Sequence, residues 1–359
     1  MQGTRRSGRI VLIGSGEIGP SMAPLHRALI ASLPKRAAPA SLVALDGSYD
    51  FQTNRAEMGE KIAVFFRSKV GVPTTVVGLP ETERAGADLP PTAFAPTLAA
   101  LESANLIFLG PGSPTRAVAR WADTPIVDRL IARIDAGATL VTSSAGAAAA
   151  GTMTLPVYEL YKAGLNATWI NGLNLLGTLT GIRAAIIPHW NNAEGATHDT
   201  SRCYIGEARL VQLTQDLPAG VAVLGIDEHT ALSIDFGAEL VSVHGKGAVT
   251  IRIAGVGEIA LHAGASEPLD TFVARFSGAV VPAAHRIPAP VDAPEVPVVE
   301  HGVLTKGSIA PAVERLIMLR AAARAEKRYA DADAIREAIE ALGVELTDAP
   351  TGATWVLRP

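Results

Sequence analysis

The chain is poor in several things, and each shortage excludes something. It has one cysteine, Cys203, in 359 residues, which rules out an internal disulfide and any cysteine-built metal cluster. Its charges nearly cancel, with 31 Lys/Arg against 35 Asp/Glu and a formal net charge of −4. No excess of one sign therefore argues for general affinity to nucleic acid or to a membrane surface. Long hydrophobic runs are missing too. The longest small-residue stretch, 136–157, is interrupted by Gly, Ser, Thr and Pro and is too polar to span a bilayer. At the N-terminus Arg5, Arg6 and Arg9 precede only the short apolar run Ile10–Ile13, which reads as a first strand and not as a signal peptide. What is present, 48% hydrophobic and 18% charged residues, suits a soluble globular protein with a sizeable core, expected in the cytoplasm.

Two grammars follow one another along the sequence. From 8 to 280, short β-type runs alternate with helical stretches, the pattern of an α/β domain built on an open, mostly parallel sheet flanked by helices. Strands are expected at Ile10–Ile13, Ser41–Leu45, Thr74–Val77, Leu106–Leu109, Thr139–Thr142, Ala184–Ile187 and Val221–Leu224, and hairpins over Ala231–Ile253. A proline-rich stretch, 281–308, reads as a linker. From 309 to 359 the period becomes helical, with Val313, Leu316, Ile317 and Arg320 on one face and Ile335, Ala338, Ile339 and Leu342 on a second helix. Gly343 stands where a helix-ending glycine belongs, and Val344–Thr347 and Thr354–Leu357 are expected to pair as a small hairpin.

The chemistry starts at Thr142-Ser143-Ser144-Ala145-Gly146-Ala147, where an apolar strand runs into serine followed by very small residues. Such a sharp strand-to-helix turn projects one side chain from the sheet edge and puts it at a helix N-terminus, where free N–H groups can hold an oxyanion. The same residues also suit a plain small-residue helix start. A base is offered by His189, just beyond the strand Ala184–Ile187 and so at the edge where open α/β sheets carry their sites. Acid candidates are Glu159, fifteen residues after Ser144, and Glu228, in the turn after another strand. An acid is needed to orient the imidazole and stabilise its protonated form. The glycine turn Gly110-Pro111-Gly112 follows the strand Leu106–Leu109, and Gly112 N–H could join Ala145 N–H in an oxyanion hole. Gly14-Ser15-Gly16-Glu17 flanks the same edge but fits neither a dinucleotide nor a P-loop fingerprint. His189, Glu194, His198 and Asp199 lack a tight metal-ligand spacing, so no metal and no cofactor is expected.

Taken in order, Gly14–Glu17, Phe108–Gly112, Thr142–Ala147, Pro188-His189 and Gly225-Ile226-Asp227-Glu228-His229-Thr230-Ala231 resemble the dipeptidase E and cyanophycinase serine peptidases over residues 8–260. The resemblance implies the class I glutamine amidotransferase-like, flavodoxin-like fold, with Ser144 as nucleophile, His189 as base and Glu159 as acid. It also implies Gly112 and Ala145 as oxyanion donors and Glu228 in support. Pro188 stands where cyanophycinase-like members carry glutamine, which argues against cyanophycin as the substrate. The polar stretch from Asn191 to Asp199 is expected to shape the specificity pocket, with Arg202 binding a substrate carboxylate. The implied substrate is a small peptide or amide; a homodimer is allowed for.

The tail resembles the C-terminal helical domain of cysteinyl-tRNA synthetase through Leu316-Ile317, Ala330–Arg336, Leu342–Leu346 and Asp348–Trp355. That makes it a small helical-hairpin domain and implies contact with the tRNA anticodon region. The catalytic motifs of the synthetase are missing, so aminoacylation is not expected. From 300 to 359 there are eight Lys/Arg and nine Asp/Glu. Arg315, Arg320, Arg324, Lys327 and Arg328 nevertheless cluster, with Trp355 available to stack on a base. Solvated helix faces and a Trp355 that caps a small core stand as the other reading. Two functions are thus open: a serine hydrolase, or a non-catalytic binding protein with a peptidase-like scaffold and a tail for tRNA or protein.

Overall fold

A computed structural model describes residues 6–33, 40–82, 84–277 and 285–286, and in the C-terminal segment 313–314, 317–318, 320–321, 324, 332, 335–336, 339, 344–349 and 352–357. The expected linker 281–308 lies outside the described residues except for 285–286. The chain divides into two compact units, Met1–Ile287 and Pro288–Pro359.

The strands are β1 (Arg9–Ile13), β2 (Leu42–Leu45), β3 (Thr74–Val77), β4 (Leu106–Leu109), β5 (Thr139–Ser143), β6 (Met153–Thr154), β7 (Ile170–Asn171) and β8 (Ala184–Ile187). They continue with β9 (Ala222–Ile226), β10 (Thr230–Asp235), β11 (Leu240–Gly245), β12 (Ala248–Ile253), β13 (Gly257–His262), β14 (Ala265–Pro268) and β15 (His285–Arg286). Helices are α1 (Ala23–Ala31), α2 (Arg55–Phe65), α3 (Ala95–Ser103), α4 (Pro114–Trp121), α5 (Pro125–Asp135), α6 (Ala145–Ala149), α7 (Leu175–Thr180), α8 (Glu207–Thr214) and α9 (Leu269–Arg275).

The fold is α/β, and its strands are shared between two sheets. The larger has the order β15-β14-β11-β10-β1-β5-β4-β2-β3, and the smaller β13-β12-β9-β8-β6-β7. Strands β1, β5, β4, β2 and β3 run parallel, while β10, β11, β14 and β15 extend the sheet antiparallel. In the smaller sheet β8 is parallel to β9 and β6, and the β12–β13 hairpin adds antiparallel strands beside β9.

Strand β1 explains the layering. Ile10, Val11, Leu12 and Ile13 are all fully buried, the continuous apolar run of a strand covered on both faces. Side chains alternate across a strand, and here the alternation separates two cores. Ile10 and Leu12 join a cluster with Leu140, with Ile126, Leu130 and Ile134 of α5, and with Ile186 and Leu224 of the second sheet. Val11 and Ile13 face the other way, onto Leu25 and Leu29 of α1 and Ile62 of α2. The far side of the second sheet packs Ala185 and Ile187 against Leu210 of α8.

In the second unit, β16 (Val344–Ala349) and β17 (Gly352–Leu357) pair antiparallel. Val313, Ile339 and Val344 are buried together with Trp355 packed against them. Trp355 thus caps this small core. Arg320 is buried and Arg324 exposed, whereas Arg315, Lys327 and Arg328 lie outside the described residues.

Candidate active site

Parallel pairing gathers three turns at one edge of the larger sheet. Ile13 of β1 is in register with Ser143 of β5, and Leu109 of β4 with Thr142. The turns that follow β1, β4 and β5 therefore emerge side by side, at the carboxyl ends where open α/β sheets bind ligands.

Ser144 makes the sharpest of these turns. It adopts φ 49 and ψ −113 between β5 and α6, a conformation that costs on the order of 1–3 kcal/mol and persists only where the surroundings fix it. Its own N–H bonds Ile13 O at 3.1 Å, and Gly146 N–H bonds Gly110 O at 3.2 Å. Both flanking turns thereby clamp the elbow. Gly146 has no room for a side chain, because a Cβ would stand 2.4 Å from Leu109 O. Beneath the elbow the buried Ser143 hydroxyl donates to Glu17 Oε2 at 2.8 Å.

The second sheet supplies the partners. Ile187 of β8 is in register with Gly225 of β9, so residues just past these two strand ends become neighbours. His189 Nε2 lies 3.0 Å from Ser144 Oγ, and His189 Nδ1 lies 2.8 Å from Glu228 Oε1. An ionised carboxylate can only accept, so the proton belongs on Nδ1 and Nε2 is left to accept from the serine hydroxyl. Burial by itself raises the Glu228 pKa. Hydrogen bonds from Asn192 and His189, and the charge of His189, outweigh it and hold the carboxyl below its usual range. Asn192 Nδ2 donates to Glu228 Oε1 at 3.0 Å, and Glu228 N–H donates to Asn191 Oδ1 at 2.8 Å. His189 and His229 share the positive φ of Ser144, at 49 and 52.

The sequence-based candidates divide on this geometry. Ser144, His189 and Glu228 form one hydrogen-bonded chain, and Asn191 fixes the Glu228 backbone. Glu159 stands apart from it. Its Oε2 accepts from Thr115 Oγ1 at 3.1 Å, and the His189 ring nitrogen it was expected to meet is taken by Glu228. Arg202 is also engaged elsewhere. It donates to Glu207 Oε2 at 2.5 Å and to Trp190 O at 2.9 Å, and stacks 4.0 Å over the Trp190 ring. These contacts engage the guanidinium that is expected to bind a substrate carboxylate. Asn192 and Glu17 were missed as contributors. The adjacent pair Asn191-Asn192 directly after a strand-end histidine was the available signal for the first. A glutamate in a small-residue strand-end turn was the signal for the second.

Ser144 and His189 open on a cavity of about 300 Å³ that Gly112 and Ala145 also line. Ala145 opens α6, so its N–H has no intrahelical acceptor. Gly112 has φ 141 and stands too close to Ser48 O to carry a Cβ. After Gly112, Ser113 caps α4 by accepting from Arg116 N–H, with Pro114 at the first helical position. Cys203 lines the cavity as well. Burial, then the charge of Glu228, pushes its thiol up to about 12, so no thiolate competes with the serine. Tyr204 packs at a tilt against His189, with 5.1 Å between ring centroids. Burial raises its phenol pKa, helped by nearby acidic groups. Among the described residues, no group of three or more His, Cys, Asp or Glu is placed to hold a metal ion, and no helix is long and apolar enough to cross a membrane.

Known proteins resemble the two units separately. A solved structure described as a peptidase from an acI-B1 Actinobacterium superposes with a TM-score of 0.56 at 23% identity, covering 74% of this chain and 98% of that one. Residues 306–355 match the family described as the cysteinyl-tRNA ligase anticodon binding domain. A cysteine–tRNA ligase from Nitratidesulfovibrio vulgaris is 51% identical over 53 residues, 15% of this chain and 11% of the ligase. One from Anaeromyxobacter dehalogenans is 60% identical over 43 residues, 12% of this chain and 9% of that protein. The chain thus spans about a tenth of the ligases it matches, in one segment. The larger part of the chain has the fold of a solved peptidase, and its C-terminal segment is similar to the anticodon binding domain of cysteinyl-tRNA ligases.

Proposed function

We propose that the unit Met1–Ile287 is a serine hydrolase that cleaves a short peptide or amide through an acyl-enzyme. One observation carries this reading: the unbroken chain from Ser144 Oγ to His189 at 3.0 Å and from His189 to Glu228 at 2.8 Å, opening on a cavity. In the reaction His189 Nε2 takes the Ser144 proton as the oxygen attacks the substrate carbonyl. Glu228 holds the ring in the correct tautomer and stabilises the imidazolium. Ala145 N–H and Gly112 N–H are the proposed donors to the oxyanion. The imidazolium then protonates the leaving amine, and water, deprotonated by His189, hydrolyses the ester and frees Ser144. Glu228 replaces Glu159 as the acid in this scheme.

A fluorophosphonate probe tests the reading directly. The purified protein should be labelled, peptide mapping should find the label on Ser144, and Ser144→Ala should abolish both labelling and hydrolysis while leaving the circular dichroism spectrum unchanged. A label on Ser143, or none, would overturn it.

For the tail we propose tRNA contact, favoured by the match over residues 306–355. A gel shift with tRNA at low salt that disappears on deletion of residues 300–359 supports it. Absence of any shift by the full chain refutes it.

A further inference from the structure

The walls of the cavity beside Ser144 carry an instruction about substrate that the catalytic groups do not. Val157, Tyr158 and Tyr161 line it from one side, and Tyr204 stands next to His189. Among the described residues no carboxylate lines it, and Lys162 is the one lining residue with a permanent cation. Val157 precedes, and Tyr158, Tyr161 and Lys162 belong to, a single π-helical turn, Tyr158–Lys162. Such a turn bulges side chains out of the usual helical spacing and is found mostly at functional sites. Here two tyrosines and a lysine of the one turn line a single cavity.

Lys162 has no carboxylate partner among the described residues; its ammonium sits 4.1 Å from the centre of the Tyr158 ring. Lys162 is exposed while lining the cavity. Arg202, beside the lining Cys203 in sequence, is occupied by Glu207 and Trp190, and Arg116, two residues after the lining Pro114, by Asp50. An acidic side chain pushed into this cavity would find phenol hydroxyls and aliphatic carbon in place of its water, with no buried cation among the lining residues to balance its charge. An aromatic or large apolar side chain gains from the same walls, through desolvation and ring packing.

Resting on the serine-hydrolase reading above, we infer that the substrate is a short peptide with an aromatic or large apolar residue at the scissile carbonyl. Its free C-terminal carboxylate is met by the exposed Lys162. The tyrosines select the side chain, and the lysine selects a peptide end over an internal bond.

The test uses the full-length protein and the dipeptides Phe-Leu, Ala-Leu and Asp-Leu, each also as its C-terminal amide, with released leucine or leucinamide followed by chromatography. Phe-Leu should exceed both Ala-Leu and Asp-Leu in kcat/KM by about tenfold or more, the usual reach of an apolar pocket that loses its filling. Amidation should raise KM about two- to fivefold, the size of an exposed ion pair, with kcat little changed. Lys162→Gln should erase that difference, and Tyr161→Ala should shrink the Phe-to-Ala preference. Fluorophosphonate labelling of Ser144 in the same preparations reports separately on the nucleophile. Labelled enzyme that prefers Asp-Leu, or cleaves no aromatic dipeptide, overturns this inference and leaves the hydrolase reading standing. An amide effect that survives in Lys162→Gln removes the lysine from it. Failure of Ser144 to label overturns the hydrolase reading itself.

Discussion

Neutralising Glu228 should separate the two candidate acids more sharply than any other change. Glu228→Gln keeps the shape of the side chain but removes the charge and lets the amide present an N–H to the imidazole. The ring then favours the tautomer with its proton on Nε2, facing Ser144, where it cannot accept the serine proton. The structure sets the size of the loss. The carboxylate lies 2.8 Å from Nδ1, and a unit charge pair about 4 Å apart at an effective dielectric near 20 is worth about 4 kcal/mol. Every 1.36 kcal/mol is a factor of ten, so the imidazolium should lose about three orders of magnitude in kcat from charge alone. The wrong tautomer adds to this, in line with the loss of about 10⁴ seen when a triad acid is amidated elsewhere. Glu159→Gln removes a charge whose side chain bonds Thr115 and not His189, and leaves an amide oxygen able to accept from Thr115, so it should cost well under tenfold in kcat. Initial rates on one chromogenic peptide for both variants, with the labelling rate of Ser144 as a second readout, decide the matter. If Glu159→Gln fell as far as Glu228→Gln, the relay drawn above would be wrong.

Three further outcomes are expected. Gly146→Ala would place a Cβ 2.4 Å from Leu109 O, so it should lower stability by about 1–3 kcal/mol in urea unfolding and slow labelling of Ser144; a wild-type labelling rate would show that the elbow is not packed this way. His26 is buried, and burial, opposed by its bond to Glu17 O, lowers its pKa from the usual 6.5 to about 4. The unfolded chain then binds the extra proton first, so stability is full above pH 6.5 and falls as pH drops towards 4, by up to about 3 kcal/mol from this group. His26→Gln should flatten that part of the pH–stability curve, and an unchanged slope refutes the assignment. In the tail, deletion of residues 300–359 should leave Ser144 labelling intact. Binding of tRNA by the full chain should weaken steeply with salt, and Arg324→Ala should reduce the salt slope by about one; a slope that does not move removes Arg324 from the contact.

Much of this protein is written locally. The strand ends, the small residues after Ser144 and the change of period in the tail were legible because each answers a short-range demand. A buried parallel strand needs a continuous apolar run. A strained elbow needs residues without bulk, and a helix needs its 3.6-residue repeat. The class of fold and the candidates Ser144 and His189 came from that grammar. The residues alone left Glu159 and Glu228 both open as the partner of His189, and only the resemblance to the dipeptidase E-type peptidases, through the fifteen-residue spacing from Ser144, favoured Glu159. The tertiary structure put Glu228 there instead, since β8 and β9 are neighbouring parallel strands in register and their ends carry His189 and Glu228 to within 2.8 Å. Arg202 shows the same limit: nothing in its sequence context announced that Glu207 and Trp190 would claim its guanidinium. Residues that need only their chain neighbours can be read from sequence, whereas a hydrogen-bond partner is chosen by which strand ends the sheets align.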